Sequence, residues 1–354
     1  MRRLLHQQTI LSLTLLFSFA LLLASCSKPD LYRSSVFTFG TIVDYSIAHH
    51  DADAIKHAAE IIQQDLEYMH FAFHAWQPGP LSRINQLLPT TAKFTANPSV
   101  LPLIKESREL SIQSQGLFNP AIGNLIKAWG FHSDFGPEDE MPPEAGRIEE
   151  LLKNSPDMKN VMIKNVQIQS TNAAVRFDLG AIAKGYALDR IVEHLQEQGI
   201  KNIIINAGGD LKAIGQHPDK RAWSVGIKHP RQKGAILAGL DVMSGESVFT
   251  SGDYERFFMH DGKRYHHIID PRTGYPANKT QSVTVLTSSA TLADAASTAL
   301  FIAGPEQWPA IAKAMHIEHV LFIDAEGRAE ATPAMLKRLK QINATLKVQP
   351  RSLP

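Results

Sequence analysis

Apolar positions recur along this chain with two periods, and each period marks a kind of element. Leu188, Ile191, Val192 and Leu195 stand at i, i+3, i+4 and i+7, the spacing of one helix face. Ile55, Ala58, Ile62, Leu66 and Met69 form a second stripe, with Asp51 and Asp53 ahead of it as caps. Leu292, Ala295, Ala296 and Ala299 form a third, in a helix predicted from Thr291 to Ala303 and stopped by Gly304-Pro305. Asn97-Pro98 has the N-cap and N1 layout for a helix through Gln115. Residues 71–86 and 115–132 each read as a loop running into a short helix. Period-two stretches predict strands. Residues 32–49 read as one strand interrupted at Gly40-Thr41. VMIKNVQIQS (161–170) and AAVRFD (173–178) read as a pair turning at Ser170-Thr171-Asn172. KNIIINAGGDL (201–211) is a buried strand meeting a double-glycine turn. FFMHDGKRYHHIID (257–270) is a hairpin with Asp261-Gly262 as its turn. Further short strands fall at 223–230, 236–244, 247–251, 281–288 and 319–333. Helices on mixed, largely antiparallel sheet predict an α+β fold.

Composition narrows the classes. The chain has 354 residues, 44% hydrophobic and 20% charged, with a formal net charge of +1. A sizeable core is possible, and no basic stripe argues for nucleic acid. Arg2 and Arg3 precede an apolar run that ends at Cys26, the only cysteine. This is the layout of a signal peptide. Leu23-Ala24-Ser25-Cys26 resembles the bacterial lipobox, which implies cleavage before Cys26 and lipid on its thiol. An uncleaved anchor, or an ordinary signal with a stray cysteine, is the alternative. We divide the chain into a signal peptide (1–25), a polar linker (26–34), a folded domain (35–340) and a basic tail (341–354) expected to fray. Residues 134–146 are acidic and proline-rich, a surface loop. The mature domain has no cysteine left for a disulfide.

Four stretches carry candidate chemistry. DLGAIAKGYALD (178–189) puts small residues at a helix start, where free N–H groups suit an anion; a plain strand–helix joint has the same pattern. NAGGD (206–210) and TSGDYERF (250–257) are polar glycine turns that cradle phosphate or simply turn the chain. Asp294 and Thr298 are i, i+4 neighbours with Ser297 beside them, hard oxygen donors suited to Mg²⁺ or Ca²⁺. Asp294 near a helix N-terminus also suits the helix dipole alone. In HHIIDPRTGYP (266–276), a continuing strand would turn His266 and His267 to opposite faces, one toward a site and one toward solvent. No zinc spacing, Walker A, Rossmann fingerprint or G-x-S-x-G occurs.

LSRIN, GLFNPAIGNLIKAWGF, DLGAIAKGYALD, NAGGD, TSGDYERF, HIIDPRTGYP and ADAASTAL occur in that order. Together they resemble the ApbE family of FAD:protein FMN transferases, bacterial envelope lipoproteins, over residues 35–335. The resemblance implies Mg²⁺-dependent transfer of FMN from FAD to a threonine or serine hydroxyl of an acceptor protein, with release of AMP. It implies metal ligands at Asp294, Thr298 and the main-chain oxygen of Ala181, with a weaker case for Ser297, where some relatives carry an acid. It implies FAD contacts at Asp178, Lys184, Ile269 and Leu117-Phe118-Asn119, and nearby at Phe39 and Trp76. His267 is the implied catalytic residue. The implied partner is an envelope flavoprotein, such as a subunit of a membrane redox pump, met on the periplasmic side of a membrane that holds the lipid on Cys26. An FAD pyrophosphatase giving FMN and AMP, and a non-catalytic flavin-binding lipoprotein, are the rival expectations.

Overall fold

A computed structural model describes residues 29–133, 136, 140–343 and 346–354. The expected signal peptide and Cys26 lie outside the described residues. The centre is a nine-stranded sheet in the order β1 (Asp30–Thr38), β2 (Thr41–His49), β6 (Ile203–Ala207), β7 (Asp210–Ile214), β10 (Ser247–Gly252), β13 (Thr280–Thr287), β14 (His319–Asp324), β15 (Ala329–Ala331) and β17 (Val348–Pro350). All its neighbours pair antiparallel except β15 and β17. Three smaller sheets surround it. They are β3 (Phe94–Thr95), β5 (Gln167–Ser170) and β4 (Val161–Lys164); β16 (Leu339–Lys340), β9 (Ile236–Val242) and β8 (Trp223–Lys228); and the hairpin β11 (Phe257–His260) with β12 (Lys263–His266). The helices are α1 (Ala52–Phe73), α2 (Pro80–Leu87), α3 (Leu101–Gln113), α4 (Gly123–Ala128), α5 (Ala145–Lys153), α6 (Ala183–Glu197), α7 (Ala290–Ala314) and α8 (Pro333–Leu336). The fold is α+β, as the patterning implied. Among the described residues no helix is long and apolar enough to cross a membrane.

Strand β13 shows how the layers are built. Val283 and Val285 face the core under the helices, while Leu286 faces the second core toward β8 and β9. Both faces are therefore covered, and β13 is buried almost throughout. Helix α7 lies on β13 and β10 and also against α6, which rests on α1. The stripes of α1 and α6 are the buried residues of those helices. Asp51 caps α1, its Oδ1 accepting from the N–H of Asp53 at 2.9 Å.

Five local expectations change. Residues 32–49 are two strands, because Phe39 (φ 52°) and Gly40 (φ 68°) form a two-residue turn with both centres left-handed. Residues 30–34, assigned to a linker, pair with β2. VMIKNVQIQS folds back on itself as β4 and β5, so AAVRFD is left without a strand partner and makes one bridge, Arg176 to Ile122. Helix α7 continues past a kink at Gly304 (φ 72°), where Pro305 opens the next helical stretch. The basic tail does not simply fray: residues 348–350 extend the large sheet beside β15.

Candidate active site

A cavity of about 1160 Å³ opens where α6 and α7 begin or pass beneath the large sheet. It exceeds the usual range for a small-ligand pocket and has room for a dinucleotide. Of the residues singled out for chemistry, Phe39, Trp76, Leu117, Phe118, Asn119, Asp178, Ala181, Lys184, His267, Ile269, Asp294 and Thr298 line it, while Ser297 and His266 do not. The chain brings the lining residues together from six separate stretches.

Charge gathers at one end. The ammonium of Lys184 pairs with the carboxylate of Asp210 at the start of β7. Burial pushes the lysine down, but Asp210 and Asp294 outweigh it and hold Lys184 protonated. Asp294 is buried, which raises its carboxyl above the usual range; Lys184 opposes that rise and Asp210 adds to it. Oδ2 of Asp294 accepts the N–H of Gly185 at 2.9 Å. No hydrogen bond reaches its other oxygen among the described residues. The approach of the helices is tight: a Cβ on Gly185 would stand 2.2 Å from the carbonyl oxygen of Ala290. Only glycine allows it.

That contact alters the first turn of α6. The N–H of Tyr186 serves the carbonyl of Ile182 in ordinary helical fashion. The N–H of Gly185 would serve Ala181 in the same way, but it goes to Asp294. The Ala181 carbonyl is left without a hydrogen-bond donor among the described residues, on the cavity wall. One helical turn beyond Asp294, Thr298 Oγ1 lies 3.3 Å from Ser251 Oγ. Ser297 turns inward: its hydroxyl bonds the Asp294 carbonyl at 3.0 Å and Ser251 at 2.9 Å. No group of three or more His, Cys, Asp or Glu side chains able to hold a metal occurs among the described residues.

The other end is aromatic. Trp76 Nε1 donates to Asp178 Oδ2 at 3.0 Å, and the Arg176 guanidinium lies 4.2 Å from the Trp76 ring centroid. Asp178 also accepts the N–H of Gly180, which shapes the turn into α6. Phe39 meets His70 edge-to-face at 5.4 Å. Leu117 and Phe118 are buried, and Ile269 is buried beside them in the cavity wall. The side chain of Asn119 is engaged inside the fold: Nδ2 donates to Pro156 O and Oδ1 accepts from Ala121 N.

The histidines take different surroundings, but neither turns to solvent as expected, because β12 ends at His266 and that ring is packed inside the fold. His266 is buried: Nε2 donates to the Ala277 carbonyl at 2.7 Å and Nδ1 accepts from Ile268 N–H. Its pKa is pushed down to about 4, by burial first. His267 lines the cavity, and its Nδ1 lies 3.2 Å from the carbonyl oxygen of Arg256. A carbonyl only accepts, so Nδ1 carries the proton and Nε2 keeps its lone pair. Burial, then the charge of Arg256, pushes His267 down to about 3, so the ring is neutral.

Three residues inside the candidate stretches take roles that the sequence did not assign them. Asp210 ends NAGGD, and only the β6–β7 hairpin aims it at Lys184. Arg256 reaches the carbonyls of Phe131 and Ser133 beside His267. Asp189 ties the helix starts together: it accepts from Ala290 N, Thr291 N and the Thr291 hydroxyl, and pairs with Lys212 at 2.9 Å. Asp189 was visible as part of the 178–189 stretch, but its partners at the start of α7 lie about a hundred residues on.

The ApbE family profile matches residues 39–321. The FAD:protein FMN transferase of Rhodobacter capsulatus is 38% identical over 318 residues, covering 89% of this chain and 59% of that protein. A second so named, from Klebsiella pneumoniae, is 36% identical over 217 residues, covering 60% of this chain and 65% of its own length. The chain thus spans under two thirds of the length of these two curated relatives. The crystal structure of the ApbE protein of Thermotoga maritima superposes with a TM-score of 0.80 at 32% identity, over 88% of this chain and all of that one. With the profile covering most of the chain and a solved relative matched end to end, this chain belongs to the ApbE family.

Proposed function

We propose that this chain is an enzyme that transfers the FMN portion of FAD to a threonine or serine hydroxyl of an acceptor protein and releases AMP. In that reaction the hydroxyl oxygen bonds to the FMN-side phosphorus, and the bond from that phosphorus to the AMP phosphate oxygen breaks. The bond's electron pair leaves with AMP. The observation that carries the reading is one cavity in which a histidine with an open lone pair, a buried cation and hard oxygen atoms converge. Phosphoryl transfer asks for positioning and charge neutralisation, which these groups supply.

His267, held by Arg256 at Nδ1, accepts the hydroxyl proton at Nε2. A ring pushed down to about 3 is a weak base on its own. The negative pyrophosphate of a bound substrate raises it toward useful strength. Lys184, kept protonated by Asp210, faces the phosphates. Trp76, pinned by Asp178 and Arg176, offers a flat wall for a ring of FAD.

The donor set fits Mg²⁺: the carboxylate of Asp294, the hydroxyl of Thr298 and the donorless carbonyl of Ala181 are all hard oxygens. When bound there, the ion supplies charge neutralisation for the pyrophosphate. Ser297, engaged with Ser251, stays out of that set. The basic, apolar and Cys26-ended N-terminus supports a lipid-anchored protein of the bacterial envelope, working on the periplasmic side.

The test is incubation of the purified chain with FAD, Mg²⁺ and an envelope extract from cells lacking this gene. The expected result is a protein that gains the mass of FMN as AMP accumulates. Free FMN and AMP with no labelled protein would mean that water is the acceptor and the transferase reading fails.

A further inference from the structure

Strand β8 is the outer strand of its sheet, bonded among the described residues only to β9. Main-chain groups in a strand alternate between its two edges. On β9 the carbonyls of Leu237 and Asp241 accept from Asn343 N–H and Arg338, both on the β16 side. Ala238, Leu240 and Val242 therefore face β8, opposite Ile227, Val225 and Trp223. Ser224 and Gly226 must turn their N–H and C=O groups outward. No hydrogen bond reaches those groups among the described residues.

That free edge faces the cavity. Five consecutive residues, Ser224 to Lys228, line it, so the strand is seen edge-on rather than from one face. From the large sheet the same cavity is lined by Ile42, Asp44 and Ser46 of β2 and by Ile204 and Asn206 of β6, a floor of mixed polarity. The C-terminal end of β8 abuts the charged centre. Lys228 donates to the Gly208 carbonyl at 3.0 Å and pairs with Glu255 at 3.3 Å. The turn Gly208-Gly209 leads straight into Asp210, the partner of Lys184. Edge strands are ordinarily guarded by proline, bulges or outward charge. Here the register shift between Ile227 and Lys228 puts its extra residue, Leu237, on β9 rather than on the outer edge; Ser224 turns its hydroxyl back to Asp241, Gly226 has no side chain, and Lys228 is drawn toward the centre.

We propose that β8 is the docking edge for the acceptor protein, which adds an extended segment as a further strand and so carries its hydroxyl toward Lys184 and Asp294. The inference rests on the transferase reading. Main-chain pairing would hold the segment, and alternate side chains would meet the floor of mixed polarity. An extended chain is also the form in which a side-chain hydroxyl can enter a cavity without bringing a whole domain with it.

The test compares two substitutions at one position. Gly226→Pro removes the outward N–H from an edge where proline is otherwise tolerated. Gly226→Ala keeps the N–H while adding the same Cβ, which would stand 2.7 Å from the movable tip of Ile236. Each full-length variant is incubated with FAD, Mg²⁺ and the envelope extract of cells lacking this gene. Protein-bound flavin fluorescence is followed on denaturing gels, and FAD affinity is titrated in parallel. With Gly226→Pro, protein flavinylation falls about tenfold while FAD affinity stays within about twofold; Gly226→Ala stays near wild type in both. Wild-type flavinylation by Gly226→Pro overturns the proposal, as does equal loss in both variants. Self-association through this edge, seen as a wild-type dimer that Gly226→Pro renders monomeric, also overturns it. No labelled protein even with the wild-type chain overturns the transferase reading and the docking edge with it.

Discussion

The N–H of Gly185 donates to Oδ2 of Asp294 at 2.9 Å, across 109 residues of chain. This single bond joins the first turn of α6 to α7 and diverts a donor from the Ala181 carbonyl. It also sets Lys184 beside two carboxylates. Replacing Gly185 with alanine forces a Cβ against Ala290 O and Asp294 Cβ, so the helices must part. We expect Gly185→Ala to cost about 1–3 kcal/mol of stability. Transfer should drop further than that loss implies, because Asp294 and Ala181 move apart. Thermal unfolding and a Mg²⁺ titration of the rate measure the two effects.

Asp294→Ala removes the charged oxygen donor from the proposed metal site. Transfer at low Mg²⁺ should fall about 100-fold, with partial recovery as Mg²⁺ is raised. Chelation of divalent ions should bring the wild-type chain to the same floor. Normal turnover of Asp294→Ala at low Mg²⁺ would sink the metal assignment.

His267→Ala should reduce transfer about 100-fold or more and leave FAD affinity nearly intact, since its role is to take a proton. Fluorescence titration of FAD and single-turnover rates separate the two. Unchanged turnover removes His267 from the chemistry.

His266 makes folding sensitive to acid. It is buried as a neutral ring, with its pKa pushed down to about 4 from an ordinary value near 6.5. Between these values the unfolded chain binds a proton that the folded chain refuses. Stability is therefore full above about pH 6.5 and declines as pH falls, by about 1.4 kcal/mol per unit from this ring. Urea unfolding at pH 7.5 and pH 5 should show that contribution as a smaller decline in His266→Asn than in the wild type, with His267 adding its own share in both.

Asp189→Ala should cost about 3–5 kcal/mol, because it strands the Lys212 charge and uncaps α7. Asp189→Asn should keep part of the cap and lose less. Denaturant midpoints of the two variants decide between a cap and an ion pair as the larger contribution.

Much of this fold was legible in the chain. Helix stripes such as Ile55 to Met69, and hairpins such as the one at Asp261-Gly262, are local patterns, and local spacing determines which face an element can bury. Strand alternation separated His266 from His267, but the burial of His266 came from packing beyond the end of β12. The motifs of residues 178–189 and 294–298 pointed to the right helices because their spacing is local. Where the chain misled, non-local pairing had won: residues 161–170 folded on themselves, and residues 30–34 and 348–350 joined a sheet that only distant strands complete. Tertiary structure alone decided the site. Asp210 reaches Lys184, Gly185 surrenders its N–H to Asp294, and Asn119 spends its amide on the fold. The physical reason is that an i, i+4 pattern specifies a face. Whether two such faces meet at 2.9 Å, and which atoms are left without a partner when they do, depends on packing between segments a hundred residues apart.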